Sequence, residues 1–200
     1  MARISRVVVA ALAASAVVCA QAALAPGATM TRHVAGNAPD VIPIPLPAKT
    51  FIRIRVIQDG ADLIAGLRNP AGELVCEVDS GNGRYGPEAV VAIADSAGEY
   101  RLEVRTGNPK SAGGDYTVEV GDLRAAEESD AALVEAHRNY VDGNRLMPQS
   151  ADKRKAGVEK LRAALAYFRG SGDVYMNGLA AYGLGNAFAR GGELRPAIPL

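Results

Sequence analysis

The sequence predicts an antiparallel all-β sandwich followed by an all-α region of helical hairpins. Between residues 51 and 120, apolar residues alternate with charged ones in short runs separated by turn signals, the period-two signature of half-buried strands. From residue 125 onward the alternation stops. Ala, Leu, Glu, Arg and Lys dominate there, and apolar residues recur at helical spacing. The chain is 48% hydrophobic but only 5% aromatic and has no Trp, so its cores must rest on Val, Ile, Leu and Ala. Lys+Arg and Asp+Glu both total 22. A neutral chain without a basic stripe offers nothing for nucleic acid to bind.

Residues 1–22 have the three parts of a signal peptide. Arg3 and Arg6 form a positive start, residues 7–18 an apolar run, and Ala20-Gln21-Ala22 a small-x-small cleavage site. The run falls short of the roughly 20 residues that span a bilayer. The expectation is export to the periplasm or the extracellular space, with no membrane association after removal. Removal takes Cys19 with it and leaves Cys76 as the single cysteine, so no internal disulfide forms. Residues 23–47 read as a Pro-rich leader. Pro39, Pro43, Pro45 and Pro47 remove backbone donors and fix φ, which allows an extended leader or an edge strand. His33, within it, reads as solvated.

The sandwich is expected over residues 48–122. Ile52, Ile54 and Val56 alternate with Arg53 and Arg55, and Asp59-Gly60 breaks the run. Leu63, Ala65 and Leu67 form the inner face of a second strand, and Asn69-Pro70-Ala71-Gly72 reads as a β-turn. Leu74, Cys76 and Val78 share a face of the next strand, where Cys76 reads as a small buried hydrophobe rather than a reactive thiol. A Gly-rich loop over residues 79–87 precedes a short apolar strand at 89–94. Two further strands carry Tyr100, Leu102 and Val104, then Tyr116, Val118 and Val120. The total is six or seven strands, with opposite charges on the outward faces suited to cross-strand pairing. The change of period at Gly121-Asp122 sets the boundary.

Residues 123–200 read as helices. Leu133, Ala136 and Tyr140 mark one face of a first helix that Gly143 ends. Ser150 is placed to cap a second helix with the stripe Val158, Leu161, Leu165 and Phe168. Residues 170–173, Gly-Ser-Gly-Asp, stop it. A third helix over residues 174–189 carries Ala181, Leu184, Gly185 and Phe188 on its face.

Several motifs have plain readings. Gly81-Asn82-Gly83-Arg84-Tyr85-Gly86 spells a dinucleotide fingerprint, but the following Val90, Val91 and Ile93 favour a strand where that site needs a helix. Its glycines read as loop residues with positive φ. Asp59 and Asp62 lack the spacing of a calcium loop. His137 has no ligand partner at metal spacing, and no motif sets Cys76 beside either histidine as a catalytic dyad. No catalytic, cofactor or metal residue is expected.

Leu184-Gly185-Asn-Ala-Phe188, followed by Gly192-Glu193-Leu-Arg-Pro-Ala197, resembles a tetratricopeptide repeat. The resemblance implies that Leu184, Gly185 and Phe188 lie on helix A, Gly192 in the turn, and Ala197 at the contact surface of helix B. Residues 156–168 resemble helix B of a preceding repeat. The spacing of 41 from Ala156 to Ala197 matches longer-period variants of a repeat whose usual period is about 34. The order of turn motifs before these repeats, at 59–62, 69–72, 86–88, 98–104 and 123–125, is similar to the N-terminal region of bacterial exported CHAT-domain repeat proteins. This implies a pre-peptidase-like sandwich and a non-catalytic module that binds a protein or peptide through its repeats. In that family the caspase-like His and Cys lie in a C-terminal domain with which nothing here aligns. The alternative implication is the accessory N-terminal portion of a CHAT-type cysteine peptidase, the sequence being a truncated member.

Overall fold

The computed structural model describes residues 24–36 and 38–190. The signal-peptide residues 1–22 and the repeat positions Gly192 and Ala197 lie outside them. Eight strands form two four-stranded antiparallel sheets. One sheet has the order β1 (Thr29–Ala35), β8 (Gly113–Ala125), β3 (Thr50–Asp59), β6 (Tyr85–Ala94). The other has β2 (Asp40–Leu46), β7 (Gly98–Thr106), β4 (Leu63–Arg68), β5 (Leu74–Val78). The sheets pack face to face. Ile52, Ile54 and Val56 of β3 meet Leu63, Ala65 and Leu67 of β4 in one buried core with Tyr100, Leu102, Val104 and Val118. Outward residues pair by charge across strands, with Arg53 on Asp122, Arg55 on Glu119 and Arg68 on Glu103.

Residues 23–47 are not merely a leader, since they supply β1 and β2, an edge strand for each sheet. That accounts for eight strands where six or seven were expected. Pro43 and Pro45 lie within β2, opposite Arg101 and Glu99. An edge strand has one side without a ladder, and there a missing N–H goes unnoticed. Polar groups join the two sheets. Tyr116 of β8 donates to Asp40 of β2 at 2.8 Å, and Arg32 of β1 binds the same carboxylate. Burial alone would raise the Asp40 carboxyl, but the hydrogen bonds from Arg32 and Tyr116 outweigh it and hold it below its usual range.

Three local expectations change. β8 continues past Gly121-Asp122 to Ala125, because a register shift between Arg53 and Ile54 absorbs Gly121 and pairing resumes at Asp122. A second shift, between Leu67 and Arg68, takes Leu74 off the face of Cys76 and Val78 and leaves it 48% exposed. The Gly-rich loop is shorter, since β6 already begins at Tyr85. Gly83 and Gly86 have φ of 65° and 92°.

The helices are α1 (Asp130–Leu146), α2 (Ala151–Ser171) and α3 (Val174–Arg190). They share a second core of Ala136, Tyr140, Leu161, Leu165, Phe168, Leu184 and Phe188. Ser150 holds the N-cap position of α2 in extended backbone but makes no side-chain cap bond. Gly172, at φ 78°, ends that helix. Gly143 does not end α1. It lies buried inside the helix, where α1 crosses α2 at Gly157. A Cβ on Gly157 would stand 2.8 Å from the Gly143 carbonyl oxygen, so the two backbones touch at the crossing.

Gly157→Ala is therefore expected to cost about 1–3 kcal/mol through forced separation of the helices. Gly170→Ala, in the same helix, where an added Cβ meets nothing within 4 Å, is expected to add up to about 1 kcal/mol from helix propensity. Urea denaturation of the two variants tests the pair. Equal effects would contradict the crossing.

Candidate functional site

The helices dock along the side of the sandwich where β5 and β6, edge strands of opposite sheets, lie beside one another. Two polar constructions hold them there. At the end of β8, Arg124 stacks over the Phe51 ring at 4.7 Å and makes two hydrogen bonds to Asp130, the first residue of α1, at 2.7 and 2.8 Å. The Arg124 hydrogen bonds hold the Asp130 carboxyl below its usual range, against the opposing effect of burial. The chain thus turns from sheet to helix over a fixed ion pair.

The second construction surrounds Glu88. The inward residues of β3 run Ile52, Ile54, Val56, Gln58, and those of β6 run Glu88, Val90, Ala92, Ala94. The apolar core therefore ends on Gln58 and Glu88, both buried. The Glu88 carboxyl accepts from Gln58 Nε2 at 3.0 Å and from the Ser80 N–H at 2.7 Å. Gln58 also donates to Asn82 Oδ1 and accepts from the Leu63 N–H at 2.5 Å. Asn82 donates in turn to the Pro87 carbonyl and to the Tyr175 hydroxyl of α3. The loop after β5 is thus fixed from below by the sandwich core and from above by a helix. Burial pushes the Glu88 carboxyl up to about 7, with the Ser80 hydrogen bonds pulling the other way and Asp79 and Asp62 adding repulsion.

Two cavities open along this seam. One, of about 630 Å³, lies between α1 and the strands β5 and β6. The other, of about 620 Å³, lies on the outer face of β3, β6 and β8 beneath the start of α3. His137 of α1 borders both. It is buried and meets the Phe168 ring edge-on at 5.2 Å. Burial pushes its imidazole down to about 4. Cys76 lines the first cavity as well, and burial raises its thiol to about 11. The fold thus brings Cys76 and His137 to one cavity, a juxtaposition no spacing in the chain announces. At neutral pH one is a thiol and the other an uncharged imidazole.

Two exposed tyrosines of α3 stand over the loop after β5, Tyr182 at 57% and Tyr175 at 42% exposure, and Tyr85, at the start of β6, is 64% exposed. Tyr175 reaches Asn82, and Tyr182 lies against Gly81, where a Cβ would meet its ring at 3.5 Å. Of the repeat residues singled out from sequence, Leu184 and Phe188 are buried in the helical core. Gly185 faces open space among the described residues. The Gly81–Gly86 glycines lead into a strand, as their sequence context implies, with no helix N-terminus behind them. Among the described residues, no three His, Cys, Asp or Glu side chains converge, and no helix is long and apolar enough to cross a membrane.

No protein-family model matches the chain, and no curated protein does. Solved structures similar to it include the pre-peptidase C-terminal domain of collagenase from Bacillus anthracis. It is 19% identical, over 48% of this chain and 89% of that one, with a TM-score of 0.37. Another is PliG, a periplasmic lysozyme inhibitor of g-type lysozyme from Aeromonas hydrophila. It is 14% identical, over 48% of this chain and 87% of that one, with a TM-score of 0.38.

Glu88 makes stability depend on pH with a defined sign. Its folded pKa, about 7, lies above the ordinary 4.5, so the folded state holds the proton more tightly. The associated stability is complete below 4.5 and is lost as pH rises through 7. Glu88→Gln removes this dependence. Relative to wild type, the variant should become more stable by about 2–3 kcal/mol on going from pH 5 to pH 8.5. Urea titrations at the two pH values measure this, and a constant difference would contradict the buried carboxyl.

Proposed function

We propose that the chain is a non-catalytic protein- or peptide-binding module of an exported repeat protein, with the seam between sandwich and helices as its binding surface. The observation that carries this is the pair Tyr175 and Tyr182, both exposed, where the loop of Gly81 and Asn82 meets α3. Tyrosine offers broad apolar area with a polar tip at little entropic cost, which is why it is enriched at interfaces. A cleft between two packed units is also a preferred place for ligands. The helices belong, on this reading, to a tetratricopeptide-like array, in keeping with the resemblance of residues 184–197.

One further point favours binding over catalysis. Thiol chemistry runs on a thiolate beside a protonated base. Burial drives Cys76 up and His137 down, away from that pair. The alternative, an accessory portion of a CHAT-type cysteine peptidase, is favoured by the order of sandwich and hairpins. In that setting the same surface would present a partner to a catalytic domain.

Selection from a random peptide library against the purified protein should yield binders. Tyr182→Ser should weaken them at least tenfold, about 1.4 kcal/mol, without changing the thermal transition. Binders indifferent to this change would contradict the tyrosine surface. Peptide substrates should remain uncut, and cleavage that Cys76→Ser abolishes would move the chain to the enzymes. Exported protein should begin near Ala23.

A further inference from the structure

The sandwich has four edge strands, β1 and β2 on one side and β5 and β6 on the other. An edge strand leaves one row of N–H and C=O groups unpaired, and only another extended chain satisfies that row in register. β2 discourages such pairing with Pro43 and Pro45. β5 is different. It pairs with β4 on one side, and all five of its residues, Leu74 to Val78, line the cavity of about 630 Å³. The opposite wall is α1, through Val134 and Val141, and the floor is β6, through Val91 and Ile93.

We propose that this slot takes an extended, largely uncharged peptide segment as a strand added to the free edge of β5. This rests on the peptide-binding reading and adds to the tyrosine surface a second contact, at which the ligand lies as an extended strand. Three features define the ligand. The length of β5 offers about 17 Å of edge, enough for about five residues. The walls are mostly apolar, and Leu74, turned outward by the bulge at Arg68, adds a large exposed hydrophobe at one end. Most of the charges around the slot already have partners in the chain; Lys49 and Asp95, which also line it, make no ion pair among the described residues. Glu77 is held by Arg105, Asp142 by Arg145 and Lys160, and Glu135 stands by Arg138. A charged side chain entering the slot would find these charges already matched, whereas small or β-branched apolar side chains at alternate positions fit the walls.

The test uses the full protein and the tightest binder resynthesised from a phage-displayed library of random twelve-residue peptides. Hydrogen exchange is followed with and without the peptide. The expected result is slowed exchange of the amides of residues 74–78 and at least tenfold weaker binding by Val134→Arg. This substitution fills the slot from the helix side at a position outside both cores. Its thermal transition is checked against wild type. Val75→Pro, which stiffens the edge and removes a donor, should act in the same direction. Binding that is lost in Tyr182→Ser, with unchanged exchange at 74–78 and full affinity in Val134→Arg, would overturn the slot while leaving the binding function intact. Absence of any binding peptide would overturn both.

Discussion

Glu88 has no exposed surface, and its direct hydrogen-bond partners are the Gln58 amide and the Ser80 N–H. Much of the molecule depends on that arrangement. A buried carboxyl without such partners would carry a penalty of several kcal/mol. With them it becomes a fixed point where β3, β6 and the loop after β5 meet. Asn82 then extends the same set of hydrogen bonds to Tyr175 on α3. The loop that links the two sheets is therefore also the platform on which the helices rest. Ionisation of Glu88 bears on both contacts at once.

The docking of the helices has a physical motive in the sandwich itself. Two edge strands, β5 and β6, lie side by side, and exposed edges invite association. α1 shields this side without pairing with it. Val141 packs partly against both cores, and Arg124 ties the start of the helix to the end of β8. A helix cannot complete a strand ladder, so the shield leaves space between α1 and β5. The cavity is a consequence of covering a sheet edge with the wrong secondary structure. His137 and Cys76 are drawn into its walls by packing, and their shifted titrations follow from burial.

The α-region rests on contact at glycine. Gly143 and Gly157 let two helices approach to backbone distance. The reading of Gly143 as a helix stop illustrates a general ambiguity. Glycine ends helices because it tolerates positive φ, but it also sits inside them where another backbone must come close. Only the neighbour distinguishes the two uses, and here that neighbour lies 14 residues away in the chain. Gly172 is the other case, ending α2 at φ 78° with nothing packed against it.

What the sequence determined alone is what depends on local periodicity. Ile52, Ile54 and Val56 face inward because side chains alternate along a strand. Leu161, Leu165 and Phe168 are buried because they share a helical face. The proline spacing of residues 39–47 left only an extended leader or an edge strand open, and β2 is an edge strand. Gln58 and Glu88 stand at the inward parity of β3 and β6, but residue 88 lies outside the strand that periodicity marks at 89–94, so the polar end of the core emerges only in the tertiary structure. Tertiary structure alone decided the register shifts at Gly121 and Leu74, the α1–α2 crossing, the placing of Cys76 and His137 on one cavity, and the slot beside β5. Each of these depends on which distant segments are brought together. Period and turn chemistry specify a segment's own conformation and its buried face, but not the partner that buries it.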